Sequence, residues 1–162
     1  MDAITRNKTS LTLPSDLEFQ ITRAFEAPAS LVFRVWTEAE HIQRWYGCDQ
    51  AKLTRCDVDL AVNGGYRYAM EYNGGSGTMF GVYREIEAPR RLVYTQGYVA
   101  DNLLTPNGLV TMTFTETNGR TTLTITTRHA SKADRDAHLA SGVEQGAVQC
   151  MDRLEVHLRT IG

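Results

Sequence analysis

From Ala51 to Thr127 the chain reads almost wholly as strand and turn, and one long amphipathic stripe then closes it; this order constrains the fold more than any single motif. Asn63-Gly64-Gly65, Asn73-Gly74-Gly75 and Asn118-Gly119 punctuate the strand-like runs, and such pairs supply the positive φ that hairpin turns need. The runs fall near 52–60, 65–72, 77–87, 91–97, 108–117 and 120–128. Joined by short turns, they predict an antiparallel meander. In 108–117, Val110, Met112 and Phe114 share one parity and Thr111, Thr113 and Thr115 the other, and Leu123 and Ile125 repeat the pattern next door. One face is therefore core and the other wet.

Upstream, Phe19, Ile21 and Phe25 alternate with Gln20 and Thr22, the period-2 pattern of a half-buried strand over 18–25. Pro28 suits a first helical turn, and Leu31, Val32, Val35 and Trp36 follow at helical spacing. A second short helix over 38–45 turns Ile42 and Trp45 inward with His41 at its side, and Gly47 ends it. Residues 1–17, rich in Thr, Ser and Lys, read as an N-terminal arm or frayed edge before a domain spanning 18–162.

Ala100 to Gly108 reads as a loop over the mouth of the sheet, with Leu103-Leu104 as a lid or partner contact. Ser131-Lys132-Ala133-Asp134 has the spacing of a helix start. Past a kink expected at Gly142, the stripe Val143, Ala147, Met151, Leu154, Leu158 and Ile161 predicts one long helix lying across the concave face of the sheet. The architecture is α+β: a strand, two short helices, a curved antiparallel sheet of six to seven strands in all, and a terminal helix.

Composition excludes several classes of function. At 162 residues the chain suits one domain, able to bury roughly 70% of its unfolded surface. A net charge of -2 gives no electrostatic reason to expect nucleic acid as a partner. No apolar run approaches the roughly 20 residues that cross a bilayer, and the N-terminus shows no secretory pattern, so membrane insertion is not expected and a cytoplasmic location is. Cys48, Cys56 and Cys150 are odd in number and widely spaced, which reads as reduced thiols.

The order of motifs resembles the START-like (SRPBCC) helix-grip superfamily, of START/Bet v-like fold, and within it the bacterial homologues of the activator of heat-shock-protein-90 ATPase. The resemblance rests on Phe25-Glu26-Ala27-Pro28, Val35-Trp36-Thr37, Arg44-Trp45-Tyr46, Gly64-Gly65-Tyr66-Arg67-Tyr68-Ala69-Met70, Gly81-Val82-Tyr83-Arg84-Glu85-Ile86, Pro89-Arg90-Arg91-Leu92-Val93-Tyr94 and Met151-Asp152-Arg153-Leu154. It implies a cavity between helix and sheet for a hydrophobic or amphipathic small molecule, lipids included. It also leaves open a cyclase- or hydratase-type enzyme in the same cavity, and a chaperone-associated, stress-response interaction protein. The eukaryotic co-chaperones it resembles carry a further domain for which this chain has no room.

Parity places Tyr66, Tyr68 and Met70 on one face of their strand, and Met112 and Phe114 on one face of another. With Trp36, Trp45, Tyr46, Phe80, Tyr94 and Met151 they form the expected ligand-binding set. The same side chains also suit a plain core. No catalytic residue stands out: the four histidines His41, His129, His138 and His157 are dispersed, and no HExxH, GxSxG or phosphate-loop motif occurs. No metal or cofactor is expected. An exposed edge strand offers a route to a homodimer.

Overall fold

Alternation of apolar and polar residues writes the sheet, and the turns set its order. The structure, a computed structural model, describes residues 9–100 and 103–161, with backbone alone for 103–107. The strands are β1 (Ser10–Ser15), β2 (Glu18–Phe25), β3 (Gly47–Cys48), β4 (Ala51–Val58), β5 (Gly65–Tyr72), β6 (Gly75–Glu87), β7 (Arg91–Ala100), β8 (Leu103–Thr117) and β9 (Arg120–Arg128). The helices are α1 (Ala29–Thr37), α2 (Ala39–Trp45), α3 (Lys132–Ala140) and α4 (Val143–Ile161). All nine strands join one curved antiparallel sheet in the order β1-β2-β9-β8-β7-β6-β5-β4-β3. The α+β architecture is the expected one. The count exceeds six to seven because short β1 and two-residue β3 cap the two edges.

This order has a consequence for the helices. β2 pairs with the last strand, β9, while β3 lies at the far edge, so α1 and α2 carry the chain across the sheet before the meander brings it back. Asn118 (φ 53°) and Gly119 (φ 79°) both adopt the positive φ that suits the β8–β9 hairpin. On the inner face Ile21 pairs with Ile125, Met112 with Ile125 and Phe114 with Leu123. Val32 and Val35 of α1, Ile42 of α2 and Leu154 of α4 complete this core without solvent exposure.

Three expectations change. Of the predicted arm, Ser10–Ser15 pairs with β2 as an edge strand; residues 1–8 lie outside the described residues. The predicted 100–108 loop is instead strand, since Ala100 pairs with Leu103 and Val99 with Leu104. Asp101 and Asn102 are outside the described residues. Pro106 and Asn107 had pointed to a loop, but the β7–β8 register shifts between Gln96 and Tyr98, and a bulge is where a sheet tolerates proline. Leu103 and Leu104 are thus strand residues rather than loop residues. Finally, Gly142 (φ 91°) separates two helices, α3 and α4, where a kink was expected; Ser131 does cap α3, its hydroxyl accepting from the Asp134 N–H at 3.0 Å.

A buried cation fixes α4. Arg23 shares the inward parity of Phe19, Ile21 and Phe25 and is 5% exposed. Its guanidinium donates to Asp152 at 2.7 Å and to Glu155 at 3.0 Å, both on α4, and to the Thr9 hydroxyl at 2.9 Å. A charge this buried demands such partners.

Met112 is wholly buried. Met112→Ala is expected to lower the unfolding free energy by about 2–5 kcal/mol in urea titration, with a native circular dichroism spectrum; an unchanged midpoint would contradict the packing described.

Candidate functional site: an aromatic cavity under the terminal helix

A helix can close on a curved sheet only as far as its side chains allow. In the second half of α4, Met151, Leu154 and Leu158 are buried and fill the space. The first half presents Val143, Gly146, Ala147 and Cys150 at steps of three and four, and these small residues leave a cavity of about 250 Å³. Tyr66, Tyr68 and Met70 of β5, Met79 of β6, and Tyr94 and Gln96 of β7 form its sheet wall. Trp36 of α1, Tyr46, β3, Phe19 and Ile21 of β2, Ile125 and Thr127 of β9 and His138 of α3 close the sides. Since water occupies about 30 Å³ per molecule in the liquid, the space suits on the order of ten non-hydrogen atoms.

Seven of the eleven residues expected from sequence line this cavity: Trp36, Tyr46, Tyr66, Tyr68, Met70, Tyr94 and Met151. Four do not. Trp45 stands behind Trp36, ring centroids 4.7 Å apart and edge-on, with its indole N–H donated to the Val35 carbonyl. Met112 lies one layer deeper, its sulfur 3.5 Å from the Tyr94 hydroxyl. Phe114 packs against Phe33 in the core. Phe80 is on the other face of the sheet, opposite exposed Arg67, because Tyr68 pairs with Met79; the parity of β6 makes Met79, not Phe80, the inward residue. Sequence reading also missed Phe19, Ile21, Gln96, Thr127 and His138. Of the α4 residues the apolar stripe had already marked Val143, Ala147 and Met151, but not that small side chains would leave space.

The polar groups of the wall are neutral. Tyr46, Tyr66, Tyr68 and Tyr94, with Tyr83 behind them, form a chain of ring contacts with centroids 5.0 to 6.1 Å apart. Burial, reinforced by neighbouring ionisable groups, raises the pKa of all five phenols. They are thus hydrogen-bond donors at neutral pH and weak acids. Tyr66 donates to the Thr95 carbonyl at 2.8 Å, and its ring lies over Gly81, where any Cβ would sit 2.7 Å from it. Burial pushes the Cys150 thiol up to about 12, so it is no thiolate nucleophile. Among the described residues no Asp, Glu, Lys or Arg lines the cavity. Behind the cavity surface, the Trp36 indole N–H is fully enclosed and has no hydrogen-bond partner.

The histidines, scattered in sequence, meet in two pairs. His41 and His157 approach within 3.0 Å and His129 and His138 within 2.9 Å. Among the described residues no group of three or more His, Cys, Asp or Glu could hold a metal ion. The first pair borders a broader depression of about 1010 Å³ between α2 and α4. Exposed Arg44, Lys52, Asp152 and Arg153 line it, so it is solvated surface. No helix among the described residues is long and apolar enough to cross a membrane.

The sequence pattern described as "Activator of Hsp90 ATPase homolog 1-like protein" matches residues 26–159. Solved structures share the fold. A protein from Rhodobacter sphaeroides is 21% identical with a TM-score of 0.87, the alignment covering 95% of this chain and 99% of that one. One from Mycobacterium smegmatis is 22% identical with a TM-score of 0.83, covering 92% and 95%. One from Staphylococcus epidermidis is 23% identical with a TM-score of 0.79, covering 94% and 95%. No match to a curated protein was found.

Burial, and secondarily His129, depresses the pKa of His138 to about 4. The unfolded chain, with a histidine near 6.5, takes up its proton first on acidification. The stability this neutral histidine allows is therefore complete above about pH 6.5 and is lost as pH falls toward 4. Urea midpoints are expected to fall over that window, and to fall less in His138→Gln; equal slopes in the two proteins would contradict the assignment.

Proposed function

The chain belongs to the Activator of Hsp90 ATPase homolog 1-like family, and from that premise we propose that it binds a compact, neutral, largely apolar small molecule in the cavity between β5–β7 and α4. The observation that carries this reading is the cavity itself, about 250 Å³ of space whose wall is aromatic and thioether on the sheet side and small-residued on α4. The tyrosine hydroxyls and Gln96 of the wall offer a bound molecule hydrogen bonds worth about 0.5–1.5 kcal/mol each. Burying about 200 Å² of apolar ligand surface adds about 5 kcal/mol, against a similar loss of translational and rotational freedom.

Binding without turnover fits the chemistry of the wall better than a cyclase- or hydratase-type reaction. Such a reaction needs a group that moves a proton near neutral pH, whereas the phenols are raised away from it by burial. A chaperone-directed role, the activity in the family's description, would work through the outer surface. Filling the cavity separates the two, removing ligand binding and sparing association with a chaperone.

Gly146 provides the means. It sits within α4 on the cavity wall, and a Cβ there meets nothing within 4 Å. Gly146→Leu fills the space and raises helix propensity by up to about 1 kcal/mol. Calorimetric titration with 2-naphthol is expected to show saturable one-site binding to the native protein and none to Gly146→Leu, which should be at least as stable. Equal binding by both would overturn the proposal.

A further inference from the structure

The His129–His138 pair has a direction, and the backbone sets it. His129 Nδ1 lies 3.0 Å from the Leu17 carbonyl, which also accepts the His129 backbone N–H at 2.8 Å. A carbonyl can only accept, so Nδ1 carries the proton. In neutral His129 the Nε2 is then a bare lone pair. His138 Nδ1 faces it at 2.9 Å, and so must be the donor. That leaves Nε2 of neutral His138 without a proton, on a ring that forms part of the cavity wall.

The reverse direction needs a cation. With His129 doubly protonated, Nε2–H would donate to His138 and the outer nitrogen of His138 would become a donor. His129 is 7% exposed, and burying an unpaired charge is costly. Among the described residues the close histidine–carboxylate contact is His41 with Glu38, at 3.6 Å, and neither member of this pair has one. Phe19 covers both rings, with centroids 5.3 Å from His129 and 4.9 Å, edge-on, from His138. An apolar cover of this kind favours the uncharged chain.

We propose that His138 Nε2 is a hydrogen-bond acceptor of the cavity, and that the bound molecule is an apolar compound carrying a hydroxyl donor. This rests on the cavity being a ligand site. The tyrosine hydroxyls and Gln96 of the wall can donate in return, so a bound hydroxyl can both give and accept a hydrogen bond. Alcohols and phenols of about ten non-hydrogen atoms satisfy this; ethers and hydrocarbons of the same size satisfy half of it or none.

Two measurements test it. Long-range ¹⁵N–¹H spectra of the native protein, assigned by the signals lost in His138→Gln, are expected to show His138 protonated at Nδ1 alone; a proton on Nε2 overturns the proposal whatever binds. Titrations then compare 2-naphthol with 2-methoxynaphthalene, which accepts a hydrogen bond but cannot donate one. The native protein is expected to prefer the naphthol about three- to tenfold, and His138→Phe to bind both equally. If both probes bind the native protein alike, the cavity reading stands and the acceptor role of His138 falls. If neither binds, both fall.

Discussion

An arginine on the core face of a strand is the constraint on which the arrangement depends. Arg23 belongs to the inward row of β2, and its buried guanidinium reaches two carboxylates one helical turn apart on α4. A cation in that place cannot remain unpaired, so the second half of α4 is held over β2 and β9. Leu154 and Leu158 then pack into the core beside it. The first half of the helix, with Gly146 and Ala147, spans toward β3 and stands off from the aromatic face of β5–β7. The cavity therefore lies between the first half of α4 and the sheet.

What faces this space is uniform in character. Phenols with raised pKa, thioethers, a neutral histidine and a protonated thiol offer polarity without charge. Water in such a place has few partners, whereas an apolar molecule with one or two polar atoms meets them all. Arg55, Asp57, Glu85 and Arg91 pair on exposed strand faces, and Arg44, Lys52, Asp152 and Arg153 line the solvated depression between α2 and α4.

Much of this was legible in the sequence, and its failures have physical causes. Period-2 alternation and Asn-Gly turns gave the meander, because side chains of a strand must alternate and hairpins need positive φ. The same parity argument picked out Tyr66, Tyr68 and Met70. Phe80 was added without it, and wrongly: the glycine-rich start of β6 offers few side chains to set the phase, and only the pairing of Tyr68 with Met79 decides the face. The alternation reading passed over Arg23, a charge of inward parity, and its carboxylate partners on a helix some 130 residues away leave no local signal. Nor could spacing reveal the histidine pairs, since His129 and His138 meet only through the break between β9 and α3. The extension of β7 and β8 was hidden by Pro106, which a bulge accommodates.

The proposed ligand occupies the space under the first half of α4. Methionines are well placed to report on it: Met70, Met79 and Met151 line the cavity, while Met112 lies behind the wall. With ¹³C-methyl-methionine protein saturated with 2-naphthol, intermolecular nuclear Overhauser effects should connect the probe to the methyl groups of Met70, Met79 and Met151. Contacts confined to Leu53, Val156 and Ile161 in the outer depression, or no contacts at saturation, would contradict the account.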